Sequence, residues 1–181
     1  MTATFPTSQA PALRAPRRSN RSDRSDRSDR SDRSTGRVDA ARTALAEHLG
    51  THDPLAHVDL AVPERTWTRV GTGAGADIWL ITWPAGSSTG WHDHGSASGA
   101  FVVLTGSLTE YVWTGVATAS TIGASTVREF DGSHIHDVVN HGTETAVSLH
   151  AYAPGLAAMT RYELVRGRLQ VTSVEQRGES W

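Results

Sequence analysis

The amino-acid sequence predicts an all-β protein, a sandwich or a small barrel, with one short helix in front of it. After residue 50 the chain consists of short runs rich in β-branched and aromatic residues, separated by Gly, Ser, Asp and Pro. No long helical pattern interrupts these runs, and short strands at this spacing are typical of a sandwich or barrel. The predicted strands are Thr66–Val70, Asp77–Trp83, Ala100–Leu104, Leu108–Trp113, Thr126–Phe130, Ala146–Tyr152, Thr160–Val165 and Arg168–Val174.

The helix is predicted at residues 37–50. Its apolar residues recur every three to four positions, and Gly50 is a natural helix stop. These apolar residues are Val38, Ala41, Leu45 and Leu49. We expect the helix to cap the open end of the sheet or barrel.

Residues 1–36 differ in composition from the rest of the chain. They are rich in Pro, Ser, Thr and Arg, and they repeat Arg-Ser-Asp between Arg21 and Ser34. Because such a segment buries too little apolar surface to offset its ordering entropy, we expect a disordered tail. The predicted organisation is this tail, followed by a single domain at 37–181.

The composition excludes several classes of protein. The formal net charge of −2 gives no electrostatic case for binding nucleic acid or a membrane. No apolar run approaches the roughly 18 residues that span a bilayer, and the N-terminus lacks the apolar core of a secretory signal. The 181 residues include no cysteine, which excludes disulfides, zinc–thiolate sites and cysteine nucleophiles. We expect a cytoplasmic protein.

The placement of the histidines indicates a metal site. His92 and His94 are two residues apart, and residues i and i+2 of an extended strand face the same side. Both imidazoles would therefore point into the barrel, while Asp93 would point out. A third histidine, His136, lies on a later segment.

The spacing around these histidines matches two motifs of the cupin fold. The first is reproduced by Gly86, five residues, His92-x-His94, four residues, position 99, six residues and Gly106. The tail of the second is reproduced by His136, three residues and Asn140. Two motifs in order in a β-rich chain indicate a cupin (double-stranded β-helix or jelly-roll) barrel that binds a metal through His92, His94 and His136.

Position 99 departs from the general cupin pattern. It usually holds a Glu that binds the metal, and here it is Gly99. The site is then three neutral histidines, which leave up to three positions open on an octahedral ion. Such a site suits a substrate that brings its own anion, for example a thiolate.

With these features the chain resembles the cysteine dioxygenase family over most of residues 60–165. The resemblance is carried by His92-Asp93-His94 before Gly99-Ala100-Phe101, by His136 within HIHDVVN, by the run from Ser148 to Pro154, and by Trp67-Thr68-Arg69. Animal members have a Cys at the place of Gly99 that crosslinks to a Tyr. Tyr152 would therefore act here as an unmodified phenol.

Ser148, His150 and Tyr152 also form a set on physical grounds. At i, i+2 and i+4 of a predicted strand they share one face. Ser can bond His and His can bond Tyr, which would orient the phenol near the metal. The resemblance gives these three residues a catalytic role.

The resemblance further implies an oxidoreductase of sulfur amino-acid metabolism, with one Fe(II) per chain. It would add both atoms of O2 to the sulfur of L-cysteine and give cysteine sulfinic acid. Arg69 would bind the substrate carboxylate, for which its planar fork is suited. The implied partners are a small thiol and O2; family members are often monomeric, but the sequence does not fix the oligomeric state.

Three alternatives remain at this stage. The substrate could be another small thiol such as 3-mercaptopropionate, although relatives with that preference tend to carry Gln at the place of Arg69. The protein could be a non-catalytic metal-binding cupin. Three histidines also leave open nickel, manganese or zinc in place of iron. Whether His134 approaches the metal is a further open question.

Overall fold

A computed structural model of the protein describes residues 22–56 and 58–177. In this part of the chain one helix is followed by ten strands. They are α1 (Ser22–Thr51), β1 (Thr66–Gly73), β2 (Ala76–Trp83), β3 (Ser98–Thr105), β4 (Ser107–Trp113), β5 (Ala117–Gly123), β6 (Val127–Phe130), β7 (His136–Val139), β8 (Ala146–Ala153), β9 (Ala158–Val165) and β10 (Arg168–Gln176).

The strands form two walls around a common interior. The first wall is a five-stranded antiparallel sheet in the order β1-β2-β8-β3-β6. The second wall consists of β5-β4-β7 and the pair β10-β9. Apolar side chains of both walls, among them Trp83, Phe101, Leu108 and Val138, are buried between them.

The segment between β2 and β3, residues 84–97, is irregular and joins the two parts of the second wall. His92 forms single β-bridges to His136 of β7 on one side and to Arg161 of β9 on the other. Next to it, Asp93 N donates to Thr160 O at 3.0 Å. The segment therefore takes the place of a missing strand, and one of the predicted metal ligands lies in it.

The helix α1 covers the outer face of the five-stranded sheet. Its Ala41, Ala44 and Leu45 are buried and belong to a second apolar cluster with Ile78 of β2 and Leu149 of β8. The strands β2 and β8 are thus covered on both faces, which explains why every residue of β8 is buried. The expectation that the helix caps an open end of the barrel was wrong, because its apolar stripe matches the apolar outer face of these strands.

The helix also starts earlier than expected. Residues 22–36, which the composition assigned to a disordered tail, are helical and continuous with 37–51. The Arg-Ser-Asp repeat puts an arginine four residues after most of its aspartates, a spacing that supports a helix. From residue 31 onward, where the side chains of α1 are described, the first buried one is Ala41. Residues 1–21 of the predicted tail lie outside the described residues. The division into a tail and one domain at 37–181 stays a prediction.

The eight predicted strands are all present, and two were missed. β5 has the sequence ATASTIG, whose small and polar residues carry little β signal. β7 has only four residues, HDVV, too few to show a clear alternating pattern. Along the described chain there is no helix that is long and apolar enough to cross a membrane.

Candidate metal centre and active site

The three predicted metal ligands meet in the interior. His92, His94 and His136 are at most 4% exposed, and one ring nitrogen of each lies within 4.8 Å of the others. Two come from the irregular segment and the third from the first residue of β7. Asp93 turns the other way and accepts hydrogen bonds from the backbone N–H of Gly95 and Thr160. The predicted alternation of this segment is therefore present, although the segment is not a regular strand.

The hydrogen bonds of these rings fix which nitrogen faces the centre. His92 Nδ1 lies 2.9 Å from Gly90 O, and His136 Nδ1 lies 2.8 Å from Glu110 Oε1. A carbonyl and a carboxylate can only accept, so both Nδ1 atoms carry a proton and donate. The Nε2 atoms of His92 and His136 are left as free acceptors, the form in which imidazole binds a metal.

His94 provides the test of whether a metal fits. Both of its ring nitrogens are buried without a hydrogen-bond partner in the described structure. A buried polar group without a partner costs free energy, and a metal ion bound to one of these nitrogens would satisfy it. The residues present therefore fit a metal ion held by three imidazoles.

Burial keeps these ligands neutral. Desolvation, reinforced by the neighbouring imidazoles, lowers the pKa of His92 and His94 well below the usual value, and burial also lowers the pKa of His136. Imidazole must be unprotonated to bind a metal. At neutral pH the site is therefore ready to bind without first releasing protons.

Gly99 makes room for an aromatic ring beside the ligands. A Cβ atom at this position would lie 2.7 Å from Phe130 Cε2 and 2.8 Å from Ala151 O. The ring of Phe130 stacks on His94 with 4.5 Å between the ring centroids. The space that a carboxylate ligand would need at position 99 is thus filled by an apolar ring that supports His94.

Ser148, His150 and Tyr152 form a connected set on the inner face of β8, where Trp83 extends it. Trp83 Nε1 donates to Ser148 Oγ at 2.8 Å, and Ser148 Oγ lies 2.8 Å from His150 Nε2. The Ser148 hydroxyl is completely buried, so its proton needs an acceptor, and His150 Nε2 is the one within reach. His150 Nδ1 then carries the ring proton and faces Tyr152 Oη at 3.3 Å.

The two titratable members of this set, His150 and Tyr152, keep their neutral form. Burial lowers the pKa of His150 to about 3, and burial raises the pKa of the Tyr152 phenol above its ordinary value. The Tyr152 ring lies 5.3 Å from the His94 ring, so its hydroxyl is held close to the metal ligands. Since Tyr152 accepts from His150, its own proton is free for a ligand in the interior.

A cavity of about 60 Å³ opens onto these groups. Its walls are mainly apolar, from Ile81, Trp83, Val138, Leu156 and Met159. The polar groups facing it are two of the histidine ligands, His150, Tyr152, Thr89, Arg65 and Arg161. No carboxylate lines the cavity within the part of the chain that the structure describes. It suits a small anionic molecule.

The structure brings Arg65 rather than Arg69 to the cavity. Arg69, the predicted substrate-binding residue, lies outside the lining; its Nη2 donates to Asp77 Oδ1 at 2.6 Å and its side chain is 47% exposed. The physical reason is the β1–β2 register, which pairs Arg69 with Trp79 and brings it within reach of the buried Asp77 carboxylate. Sequence reasoning missed Arg65, although Arg65, Trp67 and Arg69 alternate at the spacing of one strand face.

Arg65 is held beside two indole rings. Its guanidinium carbon lies 4.8 Å from the Trp67 ring centroid and 5.4 Å from that of Trp83, distances at which a cation is attracted to an indole face. Within 22–56 and 58–177 it has no carboxylate partner, whereas Arg161 Nε donates to Glu175 at 3.0 Å. Burial and the charge of Arg161 lower the pKa of Arg65, so an anion bound beside it would be stabilised.

Glu110 is a second residue that sequence reasoning missed. Its side chain is 5% exposed, and Oε1 also accepts from His134 Nε2 at 2.9 Å. His134 therefore contacts the metal centre through this carboxylate and through the ring of His136, with 4.7 Å between the two ring centroids. The signal in the sequence was a charged residue two positions after Leu108, on the inward face of β4.

The fold and site together define the class of protein. The structure resembles that of a recombinant oxalate oxidase in complex with glycolate, with 15% sequence identity and a TM-score of 0.51 over 61% of this chain and 62% of that one. It also resembles TT1209 from Thermus thermophilus, with 15% identity and a TM-score of 0.51 over 57% of this chain and 96% of that one. A third similar structure is an RmlC-like cupin protein from Desulfovibrio desulfuricans, with 20% identity and a TM-score of 0.50 over 58% of this chain and 96% of that one. The match spans about three fifths of the oxalate oxidase chains. The protein has the cupin fold that the sequence predicted, and His92, His94 and His136 form a group that could hold a metal ion.

Within the cupin fold, the chain can also be assigned to one family. The model of the cysteine dioxygenase type I family matches residues 53–164, more than half of the chain. No curated protein sequence matches this chain. The chain belongs to the cysteine dioxygenase type I family, and the resemblance stated from its motifs is confirmed.

The contact between Gly99 and Phe130 leads to a prediction. Replacing Gly99→Ala should lower the free energy of unfolding by about 1–3 kcal/mol, because the added methyl group overpacks a buried site against a ring and a backbone oxygen. Displacement of Phe130 should also weaken metal binding through His94. Urea denaturation and titration with Co(II) measure the two effects. Gly123→Ala is the control, since a Cβ there has no atom within 4 Å; equal behaviour of the two variants would contradict the packing argument.

Proposed function

We propose that the protein is a mononuclear non-haem Fe(II) dioxygenase that converts the thiol of L-cysteine to a sulfinic acid. The observation that carries the proposal is one small cavity lined by two of the three clustered histidines and by Arg65, which has no carboxylate partner among the described residues. The reaction balances without another reductant. The sulfur gives up four electrons to O2, and both oxygen atoms end on sulfur.

The ligand set supports a substrate that brings negative charge. His92, His94 and His136 supply no anion, and Gly99 supplies no side chain, so a thiolate would be the first negative ligand of the ion. When bound, Fe(II) would accept the thiolate and O2 together and activate O2 toward sulfur. The choice of iron over other divalent metals rests on the family.

Arg65 is proposed to bind the substrate carboxylate in place of Arg69. Its guanidinium lies between the rings of Trp67 and Trp83, which limits its freedom before substrate arrives. A planar guanidinium can donate to both oxygens of a carboxylate, which would fix the direction of the substrate chain. Fixing this geometry contributes to the rate because the reacting atoms are held together.

Tyr152 is proposed to donate a hydrogen bond to the reacting group. Ser148 and His150 orient its hydroxyl from behind, as described above, and its raised pKa keeps the proton on the phenol. Apolar walls from Ile81 and Leu156 exclude water, so this hydrogen bond would be stronger than in solution.

A second substrate, 3-mercaptopropionate, is favoured by one observation. The part of the cavity wall that the structure describes contains no carboxylate to bind the ammonium group of cysteine. The amine would then be bound by the metal alone. A thiol with the same carboxylate and no amine would make the same contact with Arg65.

The reaction is tested by oxygen uptake of the Fe(II)-loaded protein with L-cysteine and with 3-mercaptopropionate in parallel. We expect one O2 consumed per sulfinate formed, with both atoms of labelled O2 in the product by mass. The thiol with the higher kcat/KM is the substrate. No uptake with either thiol, despite bound iron, would leave the non-catalytic metal-binding cupin as the better description.

The arginines are tested as a pair. Arg65→Gln should lower kcat/KM for cysteine by about 10- to 100-fold, because a charged hydrogen bond contributes about 1.5–3 kcal/mol. Arg69→Gln should change it less than about threefold at a temperature where the variant is folded. Cysteamine, which has no carboxylate, should be turned over equally by the wild type and Arg65→Gln. A large loss in Arg69→Gln alone would return the substrate role to Arg69.

A Tyr152 variant distinguishes a catalytic cupin from a non-catalytic metal-binding cupin. Tyr152→Phe should lower kcat by about 10- to 100-fold, the size of one lost hydrogen bond in the transition state, while the iron content stays unchanged. Tyr111→Phe is the control, since Tyr111 faces His141 at the surface. If Tyr152→Phe kept full activity with iron bound, the phenol would have no part in the reaction.

A further inference from the structure

The carboxylate of Glu110 lies directly behind one metal ligand. It projects inward from β4, and its Oε1 accepts from His136 Nδ1 at 2.8 Å and from His134 Nε2 at 2.9 Å. Although burial alone would raise the pKa of Glu110, the hydrogen bonds from His134 and His136 lower it to about 2. The Glu110 carboxylate therefore accepts two hydrogen bonds at one oxygen, one from each imidazole.

Further contacts keep this carboxylate in place. Arg128 Nε lies 3.7 Å from its Oε2, and Arg128 is itself held by a hydrogen bond from Nη2 to Ser120 Oγ at 2.7 Å. The His134 ring stacks on Phe130 with 5.3 Å between centroids. Because Phe130 also stacks on His94, the ligands His94 and His136 are supported through one connected group of side chains.

The charges around the metal centre indicate what the Glu110 carboxylate contributes to it. The three ligands are neutral, and the position that holds a carboxylate ligand in other cupins is Gly99. Glu110 is the acidic residue that contacts a ligand ring in the described structure. A carboxylate that accepts from the outer nitrogen of a metal-bound imidazole fixes its tautomer and makes the inner nitrogen more basic.

We propose that Glu110 is a positioning residue of the metal centre. Its carboxylate holds His136 with Nε2 directed at the ion, and it supplies from behind the ligand the negative charge that Gly99 does not provide. His134 occupies the remaining acceptor site of Oε1 and keeps the carboxylate from turning toward the ion. This inference depends on the proposed metal site.

The test is metal binding without substrate or O2. Dissociation constants for Fe(II) and Co(II) are measured anaerobically, by competition with a chelator, for the wild type and Glu110→Gln. Glutamine keeps the size of the side chain and an acceptor oxygen but removes the charge. We expect binding weaker by about 10- to 100-fold, as for other outer carboxylates of histidine ligands. Glu129→Gln, an exposed glutamate on β6, should bind like the wild type.

The outcomes separate the two proposals. A wild type that binds neither metal would overturn the metal site itself. A wild type that binds while Glu110→Gln binds within about threefold would overturn only the role of Glu110. The thermal stability of the metal-free variants shows whether a loss of affinity reflects unfolding.

If Glu110→Gln does not fold, the Zn(II)-loaded wild type still decides the question. Nitrogen-15 NMR of the histidine rings should show His136 protonated at Nδ1 and bound through Nε2, with its Nδ1 proton shifted far downfield by the carboxylate. A His136 that is bound through Nδ1, or has no proton there, would refute the proposal.

Discussion

Two backbone hydrogen bonds between His92 and His136 hold the fold and the site in one arrangement. His92 N donates to His136 O at 2.9 Å, and His136 N donates to His92 O at 3.0 Å. The exchange joins β7 to the irregular segment, which in turn bridges to β9, and so completes the second wall. It also places the two imidazoles side by side, 4.7 Å apart. Closing the barrel and assembling the metal ligands are therefore the same event.

The five-stranded wall positions the remaining site residues through one strand, β8. β8 is paired on both sides, with β2 and β3, so its backbone has little freedom. One face of the strand packs against α1, while the other presents Ser148, His150 and Tyr152 to the interior. A set of side chains on a central strand that is buried on both faces is held more firmly than one on a loop.

Charge is distributed around the centre rather than placed on its ligands. The imidazoles are neutral, the negative charge of Glu110 lies behind one of them, and the positive charge of Arg65 faces the cavity from the other side. In an interior of low dielectric constant these two charges act over longer distances than in water. Together they suit a divalent cation and a substrate that is anionic at both its sulfur and its carboxylate.

The sequence by itself determined the features that depend on local spacing. The β-rich runs, the His-x-His pair, His136 and the alternation of Ser148, His150 and Tyr152 are all set by strand periodicity, and the structure brings each of these residues to one centre. The tertiary structure decided what depends on partners far away in the chain. Arg65 and Arg69 share the spacing of one face, and only the register with β2, which gives Asp77 to Arg69, leaves Arg65 for the cavity. The role of Glu110 likewise appears only when β4 pairs with β7, because a hydrogen bond between two strands is a contact in space that no periodicity of one strand contains.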